Sequence, residues 1–354
     1  MKYSLPYNKL GYVPAAVVHN LGRMLHLPFS LIFVLGRFAN LLVYITIIYY
    51  AMKKLKAGKM IVMTIALFPT SLFLACNYSY DYWVNAFTIY GVCYIFGVLQ
   101  KKDYRLTLKD SAKILGSFFL GLGPKAVYFP LLLIGLLIGR EHFNTKKQQY
   151  KWWGSSILVM FTVIASFMLS FIVVGRGVGD VRGGSDVNAT LQVQFILNNP
   201  WQYTKILLNY LFSSYLPIQY SGDYTNLMGY LGKSIFSVFS IVLLILAIIY
   251  DNDREKIMNW KGRSFVGILL FGTVSLVATA LYVSFTPVGH DTVNGCQYRY
   301  LLPLILPLSF IVSTGCGGMK FQQKFKKKFD IIVVACIFII ISASIFVRLA
   351  RCYY

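Results

Sequence analysis

The sequence predicts an all-α fold, a polytopic integral membrane helix bundle of about ten membrane helices, and three observations predict it. Of 354 residues, 57% are hydrophobic and only 13% charged, with a mean hydropathy of +0.62; a soluble domain carries more charge on its surface. The apolar residues gather in ten runs. Most of the 34 Lys and Arg residues fall in short strips between those runs. A net charge of +22 suits nucleic acid only when the basic residues share a soluble face, so no nucleic-acid partner is expected. Membrane lipid is expected instead, and the 26 Tyr and 27 Phe suit a chain with long interfacial borders.

Taken in order, Met1 to Pro28 holds no spanning run. Over residues 10–27, Val13, Val17, Leu21 and Met24 oppose His19, Arg23 and His26, the pattern of a helix lying in the membrane interface. Crossing the hydrocarbon core takes roughly 17 to 25 apolar residues. The runs are Ser30 to Tyr50, Met60 to Ala75, Tyr82 to Leu99, Ser111 to Leu122, Val127 to Gly139, Trp153 to Val174, Ser234 to Tyr250, Ser264 to Phe285, Tyr300 to Thr314 and Ile331 to Val347. The fourth and fifth are short, and Gly121, Gly123 and Pro124 break the chain between them, so they read as a hairpin dipping in from one side. Residues 175–230 form an outer segment. In it a Gly-rich loop leads to Asn199-Pro200, a helix start, and a helix from Pro200 to Tyr215 with Trp201, Leu208, Leu211 and Tyr215 on one side. The chain reads as a single membrane domain, 1–354, multi-pass in the cell membrane, without internal repeats.

Orientation follows from the basic strips, because cytoplasmic loops retain positive residues. The strips are Lys53, Lys54, Lys56 and Lys59; Lys101, Lys102, Arg105, Lys109 and Lys113; Arg140, Lys146, Lys147 and Lys151; Arg254, Lys256, Lys261 and Arg263; and Lys320, Lys324, Lys326, Lys327 and Lys328. All five fall on one side of ten spans. That side is read as cytoplasmic. The N-terminus, the 175–233 segment, the loop from Thr286 to Arg299 and the C-terminal tail then lie outside. An outer N-terminus without a preceding signal peptide has two readings: translocation of a short tail, or a late start codon or truncated gene that removed an opening span.

Ionisable groups in or at the lip of a bundle are costly and point to function. Arg37 lies within the first span and reads as a structural, snorkelling or anion-binding cation. Lys125, at the outer tip of the hairpin, sits beside the helix start near Ala126, so it suits either lipid phosphate or an anion seat. Arg299, in Gly295-Cys296-Gln297-Tyr298-Arg299-Tyr300, offers a planar fork to phosphate or carboxylate where the chain re-enters the membrane. Outer acids are few: Asp81, Asp180, Asp186, Asp223 and Asp291. Asp81 suits either a base or sugar-orienting group or the N-cap of the third span. Asp291, after His290, suits a hydroxyl or, weakly, a metal. The six cysteines show no metal spacing, so no metal site is assigned; Cys76 and Cys296 share the outer face and either pair or act as small apolar fillers. Gly175-Arg176-Gly177-Val178-Gly179 mimics a dinucleotide fingerprint but follows a spanning helix, and that context rejects it.

Three segments together carry a resemblance: Phe68-Pro69-Thr70-Ser71-Leu72-Phe73-Leu74-Ala75 running into Asn77-Tyr78-Ser79-Tyr80-Asp81, then Gly123-Pro124-Lys125-Ala126-Val127-Tyr128-Phe129-Pro130, then Gly295 through Pro303. With Gly11-Tyr12-Val13-Pro14 and Gly36-Arg37-Phe38, this pattern resembles bacterial predicted membrane proteins catalogued as domain of unknown function 2142, over nearly the whole chain. In layout that family is similar to the polytopic GT-C glycosyltransferases, which use a sugar on a polyprenyl phosphate at the outer face. The resemblance implies sugar transfer in cell-envelope polysaccharide assembly, with a polyprenyl-phosphate-linked sugar and an envelope polysaccharide acceptor as partners. Lys125, Arg299, Arg37, Gln297 and Tyr298 would hold the phosphate and substrate, and Asp81 and Asp291 would contact the sugars. No cofactor is expected, and a divalent-cation requirement is left open. The opening span and acid-bearing first outer loop of GT-C enzymes have no counterpart here. A transporter or flippase for lipid-linked or anionic substrates, and a non-catalytic scaffold subunit, are the rival expectations.

Overall fold

In the computed structural model, which describes residues 9–174, 186–216, 235–251, 258–314 and 323–353, every regular element is helical. Helix α1 (Val13–Met24) follows a 3-10 turn at Leu10–Tyr12 and packs along α2 (Phe29–Lys54). Its Ala15 and Gly22 are buried, while Val13, Val17, Leu21 and Met24 stay exposed. Helix α2 buries Ile32, Gly36, Asn40, Tyr44, Ile48 and Ala51, a stripe recurring every third or fourth residue, and leaves Phe33, Val34, Phe38, Leu42, Ile45 and Tyr49 exposed. One apolar face packs against protein and the other stays exposed, the two-sided pattern of a helix at the rim of a membrane bundle.

The run from Met60 to Ala75 is a broken helix, α3 (Lys59–Ala66) and α4 (Pro69–Ala75). Pro69 opens α4, where a missing N–H costs nothing. The carbonyls freed at the break accept from side chains: Tyr44 Oη donates to Ala66 O at 3.0 Å and Ser71 Oγ to Ile65 O at 2.9 Å. Helix α5 (Asp81–Leu99) is apolar all round and occupies the centre, with Tyr82, Val84, Ile89, Val92, Cys93, Ile95 and Phe96 among its buried residues.

Helix α6 (Leu108–Leu122) opens with a capping box, Thr107 and Asp110 bonding each other's backbone N–H. The returning arm of this hairpin is a 3-10 helix, Ala126–Leu137, with Pro130 inside it. At about 2.0 Å per residue a 3-10 helix covers more length than an α-helix, so a short run reaches from Lys125 back to the basic end at Arg140. Helix α7 (Lys146–Val174) follows. Helix α8 (Ala189–Asn198), capped by Asn188, lies between the Gly-rich loop and Asn199-Pro200, where the sequence reading places no helix. Helix α9 (Pro200–Tyr210) runs into a π turn at Leu211–Tyr215. Its expected face is corrected: Leu211 and Tyr215 are buried with Tyr203, Ile206 and Tyr210, but Trp201 and Leu208 are exposed. With the π turn at Leu211–Tyr215, these two side chains continue the buried face of Tyr203, Ile206 and Tyr210 and leave the line of Trp201 and Leu208. Helices α10 (Ile235–Tyr250), α11 (Trp260–Phe285), α12 (Leu302–Ser313) and α13 (Gln323–Tyr353) complete the bundle.

Among the described residues three helices, α2, α5 and α11, are long and apolar enough to cross a membrane; 126–137, 239–250 and 298–313 are shorter apolar helices. The first three basic strips, 53–59, 101–113 and 140–151, meet at one end. Gln100, after α5, clamps the α2–α3 turn through Lys56 N–H at 2.8 Å and Ala57 O at 2.9 Å, and Asp251 accepts from Met60 N–H there. At the same end Leu106 N–H donates to His142 O, and Gln148 Nε2 donates to Leu106 O. Gly58, at φ 91°, makes the turn there that a side chain would strain. The opposite end carries Asp81, Lys125 and the 295–300 turn. The Gly175–Gly179 run, Asp180 and Asp223 lie outside the described residues.

Candidate functional site

The site is built where the chain turns into α5. Ser79 Oγ accepts from Asp81 N–H at 3.1 Å and donates to Asp81 Oδ2 at 3.2 Å, which fixes the carboxylate as the helix begins. The N-cap position belongs to Tyr80, which makes no side-chain cap bond, so the capping reading of Asp81 is replaced by another role. Its carboxylate faces two cations. Lys125 Nζ donates to Oδ1 at 2.9 Å, and an Arg299 terminal nitrogen lies 3.3 Å from Oδ2. Three positions up to 218 residues apart in sequence therefore meet, on α5, on the hairpin tip and on the turn before α12. A negative charge at a helix N-terminus is favourable in itself.

The cluster is partly open to solvent, with side-chain exposures of 18% for Lys125, 22% for Arg299 and 10% for Asp81. Aromatic rings wall it. Lys125 Nζ stands 3.9 Å from the Tyr300 ring centre and 5.8 and 5.9 Å from those of Tyr80 and Tyr128; Arg299 lies 5.3 Å from Tyr300. Two hydroxyls hold the 297–300 turn from beneath: Tyr128 Oη donates to Tyr300 O at 2.8 Å and Tyr215 Oη to Gln297 O at 3.1 Å. Gly295, at φ 77°, permits the bend that leads into it. Within this well-tied turn, Arg299 Nε and Gln297 Oε1 are buried without a hydrogen-bond partner among the described residues. Two positive charges against one negative leave a net +1. The arrangement can hold an anion beside Asp81.

Of the residues singled out by sequence, the structure brings Lys125, Arg299 and Asp81 into contact and places Gln297 on the same turn. Tyr298 stacks on Tyr215 with centroids 5.4 Å apart and donates to Ser214 O at 3.3 Å. Arg37 is exposed and makes its contacts elsewhere, donating through Nε to Cys76 O at 2.5 Å and lying over the Phe33 ring. Asp291 pairs with His290 at 3.3 Å and its side chain is 93% exposed. Cys76 and Cys296 do not pair; both are free. Among the described residues no group of three His, Cys, Asp or Glu side chains is placed to hold a metal ion.

The segment leading to Asp81 is held by α1 and α2. Tyr78 Oη lies 2.7 Å from His19 Nε2 and donates to Phe33 O at 2.7 Å; Asn40 Nδ2 donates to Asn77 O at 3.0 Å; Tyr82 Oη reaches Gly11 O at 2.8 Å and Asn40 Oδ1 at 3.0 Å. Gly36 lets Tyr78 and His19 approach α2 where a Cβ would collide with both. The sequence shows the cations but not this support. Ser79 and Tyr300 sit inside the motifs, yet nothing in their spacing says that they touch Asp81 and Lys125.

The family model described as "Predicted membrane protein (DUF2142)" matches residues 1–308, which span the site and every element supporting it. The chain belongs to that family. No curated protein and no solved structure matches it. As a DUF2142 protein it is a predicted membrane protein, in keeping with its apolar helices, and the family description assigns no reaction.

Proposed function

We propose that this DUF2142 protein is a membrane glycosyltransferase of the GT-C type, taking a sugar from a polyprenyl-phosphate carrier for cell-envelope polysaccharide assembly. One observation supports the reading most: Lys125 and Arg299 converge on Asp81 at 2.9 and 3.3 Å, at the bundle end opposite the first three basic strips, with a surplus positive charge at a partly solvent-open rim. A lipid-borne phosphate is a singly or doubly charged anion that such a rim, at the end of an apolar bundle, would suit. In the reaction, an acceptor hydroxyl oxygen bonds to the sugar's anomeric carbon while the bond from that carbon to the phosphate oxygen breaks. The bonding pair leaves on the polyprenyl phosphate, whose charge Lys125 and Arg299 stabilise. The hydroxyl proton passes to water at the rim, since both oxygens of Asp81 already face cations. Asp81 then acts as a positioning residue that keeps the two cations together.

A radiolabelled polyprenyl-phosphate sugar assay in membranes tests this, with wild type, Lys125→Ala and Arg299→Ala compared at equal protein level. Transfer by wild type and its loss, by about 100-fold or more, in both variants is expected for donors aimed at developing charge. Movement of the labelled lipid across the bilayer without transfer supports a flippase instead. Neither transfer nor movement by wild type supports a scaffold.

A further inference from the structure

The polar atoms that the site leaves unsatisfied describe what it takes. Arg299 Nε is a buried donor and Gln297 Oε1 a buried acceptor, two residues apart on one turn, and neither has a partner among the described residues. Buried polar atoms in folded proteins are nearly always paired, so each exception asks for an explanation. Slack in the turn does not supply one, because its backbone is tied by Tyr128 to Tyr300 O, by Tyr215 to Gln297 O, and by Tyr300 N–H to Gln297 O at 3.0 Å. A donor on an arginine asks for an anion. An acceptor two residues away asks for a proton donor, and with Lys125 and Arg299 adjacent that donor is neutral rather than cationic, because a third positive charge would be repelled.

We propose that the 297–299 turn recognises a singly charged anion that also carries a hydroxyl, with Arg299 Nε donating to the anion and Gln297 Oε1 accepting from the hydroxyl. A glycosyl phosphate diester has this chemistry. The net +1 of Lys125, Arg299 and Asp81 matches its single negative charge, and Tyr12, Tyr80, Tyr298 and Tyr300 stand half-buried nearby, giving ring faces on which a sugar's C–H surface packs. The inference rests on the anion seat of the proposed function and adds Gln297 to it as the residue that separates glycosylated from plain lipid phosphates.

Two probes of equal charge test it on the full chain in detergent by titration calorimetry: an isoprenyl hexosyl phosphate and isoprenyl methyl phosphate, a diester without hydroxyls. Wild type is expected to bind the hexosyl diester about tenfold more tightly, ~1.4 kcal/mol. Gln297→Leu and Gln297→Asn, which shortens the amide by one methylene, are expected to erase that preference while keeping affinity for the methyl diester, and Arg299→Ala to weaken both. Equal binding of the two probes by wild type overturns the role of Gln297 and leaves the anion seat standing; binding of neither removes the seat itself. A preference that survives both Gln297 variants, or loss of the methyl diester in both, also overturns the assignment.

Discussion

Asp81 answers two cations with two different oxygens, so removing its charge strands both at once. Breaking a buried ion pair by deleting one partner costs roughly 3–5 kcal/mol, and exposed pairs are worth ~0–1 kcal/mol. With side chains 10–22% exposed, Asp81→Ala is expected to lower stability by about 2 kcal/mol, measured by thermal unfolding in detergent. Lys125→Ala leaves Asp81 its arginine and should cost less. An order reversed between these two variants would show that Asp81 does not hold the cluster together. At this scale the sequence shows Lys125, Arg299 and Asp81 as expensive groups in an apolar chain. Arg37 looks equal to them by that criterion, yet it turns to the Cys76 carbonyl, because residue type cannot say which way a side chain on a lipid-exposed helix points.

Among the elements, α5 meets α2 through Gly97, where an added Cβ would lie 2.5 Å from the Lys54 carbonyl oxygen. Gly97→Ala must therefore push two backbones apart and is expected to cost about 1–3 kcal/mol. Gly116 in α6 has open space around it, so Gly116→Ala is expected to stabilise by ~0.5–1 kcal/mol. Unfolding temperatures moving in the same direction for both would contradict this packing. At the start of α6, burial pushes the Asp110 carboxyl up. Hydrogen bonds from the Thr107 hydroxyl, Tyr94, the Thr107 backbone and Tyr104 outweigh it and hold the group at about 2. The unfolded carboxyl titrates near ~3.9, so the cap's contribution is complete above that pH and fades as pH falls toward about 2. Asp110→Asn should flatten the stability profile across that window, and an unchanged acid limb would count against it. A start at Ser111, read from apolar composition, overlooks the cap that Thr107 and Asp110 form, although their three-residue spacing is a local signal. The break at Pro69 and the 3-10 arm are harder to read, since apolar composition alone does not distinguish one helix type from another.

For the whole molecule, hydrogen bonds through Gln100, His142 and Gln148 gather the first three basic strips at one end, and the Asp81 cluster sits at the other. Positive-inside retention predicts Lys102 in the cytoplasm and Asp291 outside. In a cysteine-free background, Asp291→Cys should react with a membrane-impermeant thiol reagent in intact cells and Lys102→Cys only after permeabilisation. The opposite labelling pattern would place the candidate site inside and remove access to an outer lipid-linked donor.

Composition and the spacing of apolar runs determined that this chain is helical and made for a membrane, because a hydrocarbon solvent demands satisfied backbones and greasy surfaces whatever the tertiary arrangement. They also exposed the rare charges, since each stands out against so apolar a background. Only the tertiary structure decided that Lys125 and Arg299 share Asp81 while Arg37 and Asp291 do not, and that Leu211 and Tyr215 turn inward. Those outcomes depend on which helix faces meet across as many as 218 residues of chain, and side-chain direction at such a meeting is set by packing rather than by local pattern.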